Sequence, residues 1–123
     1  MTDRATVLLV DDDPNIQSMF EMALDYHDIS LTVTIDRPTA LKFLSEVVPD
    51  IIVLDIFLPG TDGYKLLQEL RTLPGLADCP VIATTAYYTT DSVSDIQKAG
   101  FDGYLLKPLD PEEMVNYLMS FLS

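Results

Sequence analysis

The segment Val7-Leu-Leu-Val-Asp-Asp-Asp-Pro14 places four apolar residues directly before three carboxylates and a proline. A short apolar run that is bounded by polar residues is typical of a strand covered on both faces. Proline directly after aspartate is typical of the first turn of a helix, because no backbone N–H is lost there and the aspartate can cap the helix. The segment therefore predicts a buried strand that leads into a helix, with acidic side chains at the junction.

The same alternation of an apolar run and a segment with helical spacing occurs five times along the chain. The runs that predict strands are 7–10, 31–35, 51–54, 81–85 and 104–106. The first, third and fifth runs are apolar on both faces, which predicts coverage by helices on both sides. The apolar face of the second predicted helix extends to Val48. Five such units predict an α/β fold in a single domain, residues 1–123, with a parallel sheet between two layers of helices.

Composition narrows the classes of function. The net charge is −13 and only seven residues are basic, which argues against direct nucleic-acid binding. No apolar run approaches the roughly 18 residues of a membrane helix, and the polar N-terminus is unlike a signal peptide. The single cysteine, Cys79, is predicted to be an inert thiol in a reducing compartment. These features predict a cytoplasmic protein.

Polar side chains follow four of the predicted strands at the points where the strands end. They are Asp11 to Asp13, Asp55, Thr85 and Lys107. In a parallel sheet these ends meet at one edge, so several carboxylates are expected to lie beside an ammonium group. Clustered carboxylates repel one another, and a divalent cation with oxygen ligands, Mg²⁺ before Mn²⁺ or Ca²⁺, offsets this. Such a site favours phosphoryl transfer, in which a carboxylate can be the nucleophile.

The sequence closely resembles the receiver domain of two-component response regulators. The stretches that carry the resemblance are 7–14, 49–63, 80–86 and 99–108. Each stretch alone is a weak signal, whereas four in order at matching spacing are specific. The resemblance implies the strand order 2-1-3-4-5 and a cis peptide bond between Lys107 and Pro108.

The resemblance also implies the roles of the acidic residues. Asp55 would be the phosphoacceptor. Asp12 would bind Mg²⁺ directly and Asp11 largely through water, and Asp55 and the backbone carbonyl of Phe57 would complete the protein ligands. No cofactor other than Mg²⁺ is expected.

The remaining site residues would respond to the phosphoryl group. Lys107 would pair with one phosphoryl oxygen, and Thr85 would bond another and move toward the site. Tyr104 would change rotamer together with Thr85. The change would alter the surface formed by the fourth helix, the fifth strand and the fifth helix of the domain.

The same resemblance implies the partners. A histidine kinase or phosphotransfer protein would donate the phosphoryl group, because His27, the only histidine, has no other site residue near it in sequence. A downstream protein target, or an output domain outside this chain, would recognise the switched surface, and a homodimer formed on phosphorylation is a further option. The chain would act on no small-molecule substrate and would catalyse only its own phosphorylation and dephosphorylation.

Three other interpretations stay open at this point. The pair Asp11 and Asp13 superficially fits a haloacid-dehalogenase-like phosphatase, although Asn15 stands where those enzymes usually carry Thr or Val. A docking module that works without phosphorylation is the second, and a receiver that is part of a larger protein is the third. A flavin site is disfavoured, because no Ser/Thr/Gly-rich loop follows the first strand.

Two bulky residues near the site predict a long-lived phosphoryl group. Phe57 lies two residues after Asp55, and Tyr87 lies two residues after Thr85. Both side chains could obstruct a water molecule that attacks the phosphorus. We therefore expect slow self-dephosphorylation.

Overall fold

A five-stranded parallel sheet forms the centre of the molecule. The computed structural model describes residues 4–58, 60–86 and 90–122. The strands of the main sheet are β1 (Thr6–Val10), β2 (Ser30–Thr34), β3 (Ile51–Asp55), β6 (Val81–Thr85) and β7 (Gly103–Leu106). Between β3 and β6 lies a short antiparallel pair, β4 (Phe57–Leu58) and β5 (Thr61–Asp62), which the sequence did not predict. The order β2-β1-β3-β6-β7 confirms the prediction 2-1-3-4-5, because β6 and β7 are the fourth and fifth strands of this sheet.

Within the described residues, five helices cover the two faces of the sheet. They are α1 (Pro14–Tyr26), α2 (Arg37–Leu44), α3 (Gly63–Arg71), α4 (Thr90–Ala99) and α5 (Pro111–Met119). Buried side chains of α1 and α5, such as Phe20 and Leu118, pack with Val53 on one face. Buried side chains of α2, α3 and α4 pack on the other face. The predicted α/β architecture with helices on both sides is therefore confirmed.

Aspartate side chains begin four of the helices. The N-caps are Asp13, Asp36, Asp62 and Asp110, and each accepts a hydrogen bond from a backbone N–H in the first turn. A cap of this kind stabilises a helix by about 1 kcal/mol. Since the cap and its partner are two or three residues apart, these helix starts follow from the local sequence.

The second helix is shorter than its apolar pattern predicts. It ends at Leu44, and Val48 lies beyond it with half of its surface exposed. The Ser45 hydroxyl donates to the carbonyl of Lys42 at 2.7 Å within the last turn. Pro49 disfavours a helical conformation at the residue before it, so the pattern cannot continue through Val48.

Coverage of the strands depends on their place in the sheet. Every residue of β3 is buried, as predicted, and so are the four apolar residues of β1. All four residues of β7 are only half-buried, so the prediction of full coverage is wrong there. The reason is that β7 is the last strand of the sheet and has a neighbouring strand on one side only, so its residues pack against both cores without being fully enclosed.

Candidate functional site

Three predicted site residues meet beyond the carboxyl ends of β1, β3 and β7. The Lys107 ammonium lies between two carboxylates, with Nζ at 3.1 Å from Asp11 Oδ2 and at 3.3 Å from Asp55 Oδ2. Asp11 is completely buried and Asp55 is 6% exposed, while 14% of the Lys107 side chain is exposed. The groups come from segments that are 52 and 96 residues apart. Parallel strand order brings them together, because each residue stands at the same end of its strand.

Backbone N–H groups hold the two carboxylates from the other side. The N–H of Asp13 donates to Asp11 Oδ1 at 2.9 Å, and the N–H of Phe57 donates to Asp55 Oδ1 at 3.0 Å. Each carboxylate therefore has one oxygen on a backbone donor and the other on Lys107. Hydrogen bonds in which one partner is charged are stronger than neutral ones, so both carboxyl groups are well oriented.

Burial and charge shift the protonation equilibria of this group. Burial raises the pKa of Asp55, and the neighbouring charge of Asp11 adds to the increase. The Phe57 N–H and Lys107 act in the opposite direction without cancelling it. For Lys107, burial alone would lower the pKa, but the hydrogen bond to Asp11 and the charges of both carboxylates raise it overall. Lys107 therefore stays positively charged, whereas ionised Asp55 is in an environment that favours its neutral form.

Asp12 completes an acidic cluster with the two buried carboxylates. It is exposed, and one carboxylate oxygen each from Asp11, Asp12 and Asp55 lie within 4.8 Å of one another. Such a set of oxygen donors, without histidine or cysteine, fits a hard divalent cation such as Mg²⁺. The exposed position of Asp12 leaves a side of the cluster accessible from solvent.

A glycine allows the loop after β3 to fold closely over the start of α3. The N–H of Gly63 donates to the carbonyl of Ile56 at 2.8 Å. A Cβ atom at this position would lie 2.7 Å from Ile56 Cα and 3.2 Å from the carbonyl oxygen of Asp55. Any larger residue would therefore displace the backbone next to Asp55. The loop also presents the Phe57 side chain, which is 57% exposed.

The two predicted switch residues lie on the opposite face of the sheet from the ion pairs. Thr85 follows Ala83 by two residues in β6, and Ala83 is the register partner of Tyr104 in β7, so both side chains share one face. Thr85 is 1% exposed, and Tyr104 packs against the core that α2, α3 and α4 cover. The backbone N–H of Lys107 donates to the backbone carbonyl of Thr85 at 2.9 Å, so the main chain connects Thr85 to the lysine of the ion pairs. Tyr87, the other bulky residue of the sequence prediction, lies outside the described residues.

The peptide bond between Lys107 and Pro108 is cis, as the resemblance implies. It directly follows β7 and therefore lies at the carboxyl ends of the strands, where the site is built.

Other residues that the sequence singled out lie away from the site. Asp13 uses its carboxylate to cap α1, accepting from the Asn15 N–H at 2.9 Å, so it is unlike the second aspartate of a phosphatase pair. Cys79 is buried before β6, and burial raises the pKa of its thiol to about 11, which agrees with an inert thiol. His27 stands at the C-terminal end of α1, where its ring contacts that of Tyr26.

Two polar residues near the site were not predicted from the sequence. The Gln17 side-chain amide donates to the backbone carbonyl of Asp11 at 2.8 Å and so steadies the first acidic loop. Thr84 is completely buried beside Asp55 in the sheet, and its hydroxyl has no hydrogen-bond partner. The sequence signal for Thr84 was a second threonine in an otherwise apolar strand, which is weak because threonine is common in strands.

Comparison with known proteins decides the family of the chain. A sequence model of the response regulator receiver domain matches residues 7–119. The chain belongs to this family. It is a receiver domain of the kind found in two-component response regulators, as the sequence predicts, and the family consists in general of switches rather than classical enzymes.

Similar proteins support this assignment. The transcriptional regulatory protein TcrX of Mycobacterium tuberculosis is 37% identical over 95% of the receiver chain, which spans about half (49%) of its length. A candidate response regulator of Chloroflexus aurantiacus is 30% identical, with a TM-score of 0.90 and 98% of both chains covered. The receiver domain of a sensor histidine kinase from Pseudomonas aeruginosa is 28% identical, with a TM-score of 0.88 and 98% of both chains covered. That structure has a magnesium ion coordinated in its active-site cleft.

The helices of this receiver domain are short. In the ranges that the structure describes, no helix has the length and apolar character needed to cross a membrane.

Proposed function

We propose that Asp55 is the phosphoacceptor of this receiver domain and that a histidine kinase or phosphotransfer protein supplies the phosphoryl group. The observation that carries the proposal is the position of Lys107, which bonds to Asp11 and Asp55 at once. A structural lysine needs no pair of buried carboxylates, whereas a phosphoryl-transfer site needs a nucleophile beside a positive charge. Membership of the receiver family supports the same reading.

The acidic cluster fits Mg²⁺ as the metal of the reaction. Asp11, Asp12 and Asp55 would hold it with the backbone carbonyl of Phe57, and the three side chains already lie close enough to share one ion. When bound, Mg²⁺ supplies positive charge that balances the carboxylates and the phosphoryl oxygens. The magnesium ion in the similar receiver domain from Pseudomonas aeruginosa supports this choice of metal.

The transfer itself exchanges one bond to phosphorus for another. An ionised Asp55 oxygen forms the new phosphorus–oxygen bond while the phosphorus–nitrogen bond of the partner's phosphohistidine breaks. The electron pair of the broken bond stays on the imidazole nitrogen of the partner. Lys107 stabilises the negative charge on the equatorial oxygens, which it can reach because its ammonium group lies beside Asp55.

The switch follows from the new negative charge. The Thr85 hydroxyl moves toward the phosphoryl oxygens, and Tyr104 turns into the space that Thr85 leaves on the same face of the sheet. Tyr104 packs against the core and lies in the edge strand β7, so its change of rotamer alters the surface of α4, β7 and α5. A protein target or an output domain then binds this surface with altered affinity.

The wider setting of the domain follows the same proposal. The receiver domain comprises residues 1–123 and works in the cytoplasm, where it catalyses only its own phosphorylation and dephosphorylation. The family match covers 7–119. TcrX, by its name a probable transcriptional regulator, is about twice as long as the receiver chain, so a downstream partner or output region is expected. The net charge of −13 argues against direct DNA binding by the receiver domain itself, so we expect its own partner to be a protein.

Intact mass measurement after incubation with acetyl phosphate tests the phosphoacceptor. We expect the wild-type protein to gain the mass of one phosphoryl group with Mg²⁺ and to gain none with EDTA. Asp55→Asn should gain none in either buffer. Asp78→Asn, at an exposed loop position, is the matched control and should behave like the wild type. Full labelling of the Asp55→Asn variant would show that another residue is the acceptor.

A further inference from the structure

The buried hydroxyl of Thr84 has no counterpart among the other buried polar groups of the described chain. Its Oγ1 is the one buried side-chain polar atom without a hydrogen-bond partner there. Thr34, another buried threonine near the carboxyl end of a strand, donates to the carbonyl of Leu9 at 3.4 Å. An unsatisfied buried hydroxyl is unfavourable by about 1–3 kcal/mol, and native proteins contain few of them. We therefore expect a state of the protein in which this hydroxyl gains a hydrogen-bond acceptor.

The sheet places this hydroxyl next to the proposed phosphoacceptor. Thr84 is the register partner of Asp55 in the neighbouring strand and of Leu105 on its other side. Register partners in a parallel sheet lie about 4.8 Å apart and point to the same face. That face is the one covered by α1 and α5, since Leu105 packs with their core. Lys107 follows Leu105 by two residues and therefore lies on the same face as Thr84.

In the resting structure Asp55 has no need of this donor. One of its oxygens accepts from the Phe57 N–H and the other from Lys107. Phosphorylation changes that balance, because Lys107 is the cation that can pair with the phosphoryl oxygens. When Lys107 turns toward them, the Asp55 carboxyl group loses one of its two donors. Thr84, the register partner of Asp55, then offers an unused donor on the same face of the sheet.

We propose that the Thr84 hydroxyl is a positioning donor that replaces Lys107 at the Asp55 carboxyl group in the phosphorylated state. This rests on the proposed function, in which Asp55 is the phosphoacceptor. Rotation about the Thr84 Cα–Cβ bond moves the hydroxyl without disturbing the strand. The bond favours the phosphorylated state over the resting one, because it exists only in the former.

Affinity for beryllofluoride, a non-covalent mimic of the phosphoryl group, tests the proposal. Beryllofluoride with Mg²⁺ is titrated into the folded protein, and binding is followed by NMR of the backbone amides. Thr84→Val keeps the shape of the side chain and removes the hydroxyl, and we expect its affinity to fall about fivefold, the effect of one ordinary hydrogen bond. Thr84→Ser should bind within about twofold of the wild type, because the donor is kept. Thr34→Val removes a different buried hydroxyl and should bind like the wild type.

Urea denaturation without beryllofluoride provides the second readout. Thr84→Val should be at least as stable as the wild type, because its hydroxyl has no partner in the resting state. Thr84→Ala gives the same affinity comparison if the valine variant does not fold. Wild-type affinity in the variants without the hydroxyl would overturn the proposal. So would a loss of resting stability in Thr84→Val, which would point to a buried water as the permanent partner.

Failure of the proposed function gives a different pattern. If the wild-type protein neither gains a phosphoryl group at Asp55 nor binds beryllofluoride, both the proposed function and the role of Thr84 are wrong. If the wild-type protein does both and Thr84→Val matches it, only the role of Thr84 is wrong.

Discussion

Replacing Lys107 by methionine removes the cation that lies between two buried carboxylates. Methionine keeps most of the apolar stem of the side chain, so the change is mainly one of charge. Removing one partner of a buried ion pair is destabilising by about 3–5 kcal/mol, because the other charge stays buried. Lys107 is 14% exposed and Asp55 can take up a proton, so we expect a loss of about 2–3 kcal/mol at neutral pH. That is a large share of the roughly 5–15 kcal/mol that stabilises a domain.

The size of this loss should depend on pH. Lys107 is one of the groups that lower the pKa of Asp55, and burial already raises that pKa, so the variant has a still higher one. Between the ordinary pKa of about 3.9 and the raised value, the folded state binds more protons than the unfolded state. Stability therefore falls as the pH rises through this window. The effect of the substitution is small in acid, where Asp55 is neutral, and reaches its full size above the folded-state pKa.

Urea denaturation in EDTA at about pH 5 and about pH 7.5 measures both effects. Lys42→Met is the control, because Lys42 is exposed in the last turn of α2 and should change stability by only a few tenths of a kcal/mol. Mg²⁺ should restore part of the stability of Lys107→Met, since it supplies positive charge to the same carboxylates. An equal loss at both pH values, or a loss at neutral pH no larger than that of the control, would refute the reasoning.

Three further predictions concern Asp55, Phe57 and Tyr117. Asp55→Asn should raise the free energy of unfolding at neutral pH, because burial raises the pKa of this carboxyl and disfavours its ionised form. The gain in stability should shrink toward about pH 4, and a lower urea midpoint at neutral pH would contradict the prediction. Phe57→Asn, alone or with Tyr87→Ala, should shorten the half-life of the phosphoryl group measured by intact mass, because the exposed ring beside Asp55 obstructs water, and an unchanged or longer half-life would defeat the idea. Tyr117→Phe should destabilise the domain by about 0.5–1.5 kcal/mol and speed hydrogen exchange at the Tyr104 amide, because the Tyr104 N–H donates to the Tyr117 hydroxyl at 3.2 Å. An unaltered exchange rate would show that this bond does not protect the edge strand.

The last of these contacts depends on a glycine in the edge strand. A Cβ atom at Gly103 would collide with the Tyr117 hydroxyl, so the close approach of α5 to β7 requires glycine there. Gly103 could be seen in the sequence, but its partner could not, because the two residues meet only when α5 packs against the edge of the sheet.

Local features of the chain were readable from the sequence. The apolar runs predicted the main strands, and aspartate before proline predicted the helix start at Asp13. These predictions succeed because a strand's burial pattern and a helix cap involve residues only two or three positions apart. They fail where a later residue intervenes, as Pro49 does for the end of α2.

The sequence by itself determined which chemical groups stand at the strand ends, because each acidic residue, threonine and lysine directly follows or ends its own apolar run. Only the tertiary structure decided how they combine: Lys107 bonds to Asp11 as well as Asp55, and the Thr84 hydroxyl is buried beside Asp55 without a partner. Neighbours across the sheet are tens of residues apart in the chain, and their contacts are set by strand order, register and the face to which each side chain points. A one-residue change of register would send these side chains to the opposite face while leaving the sequence pattern the same.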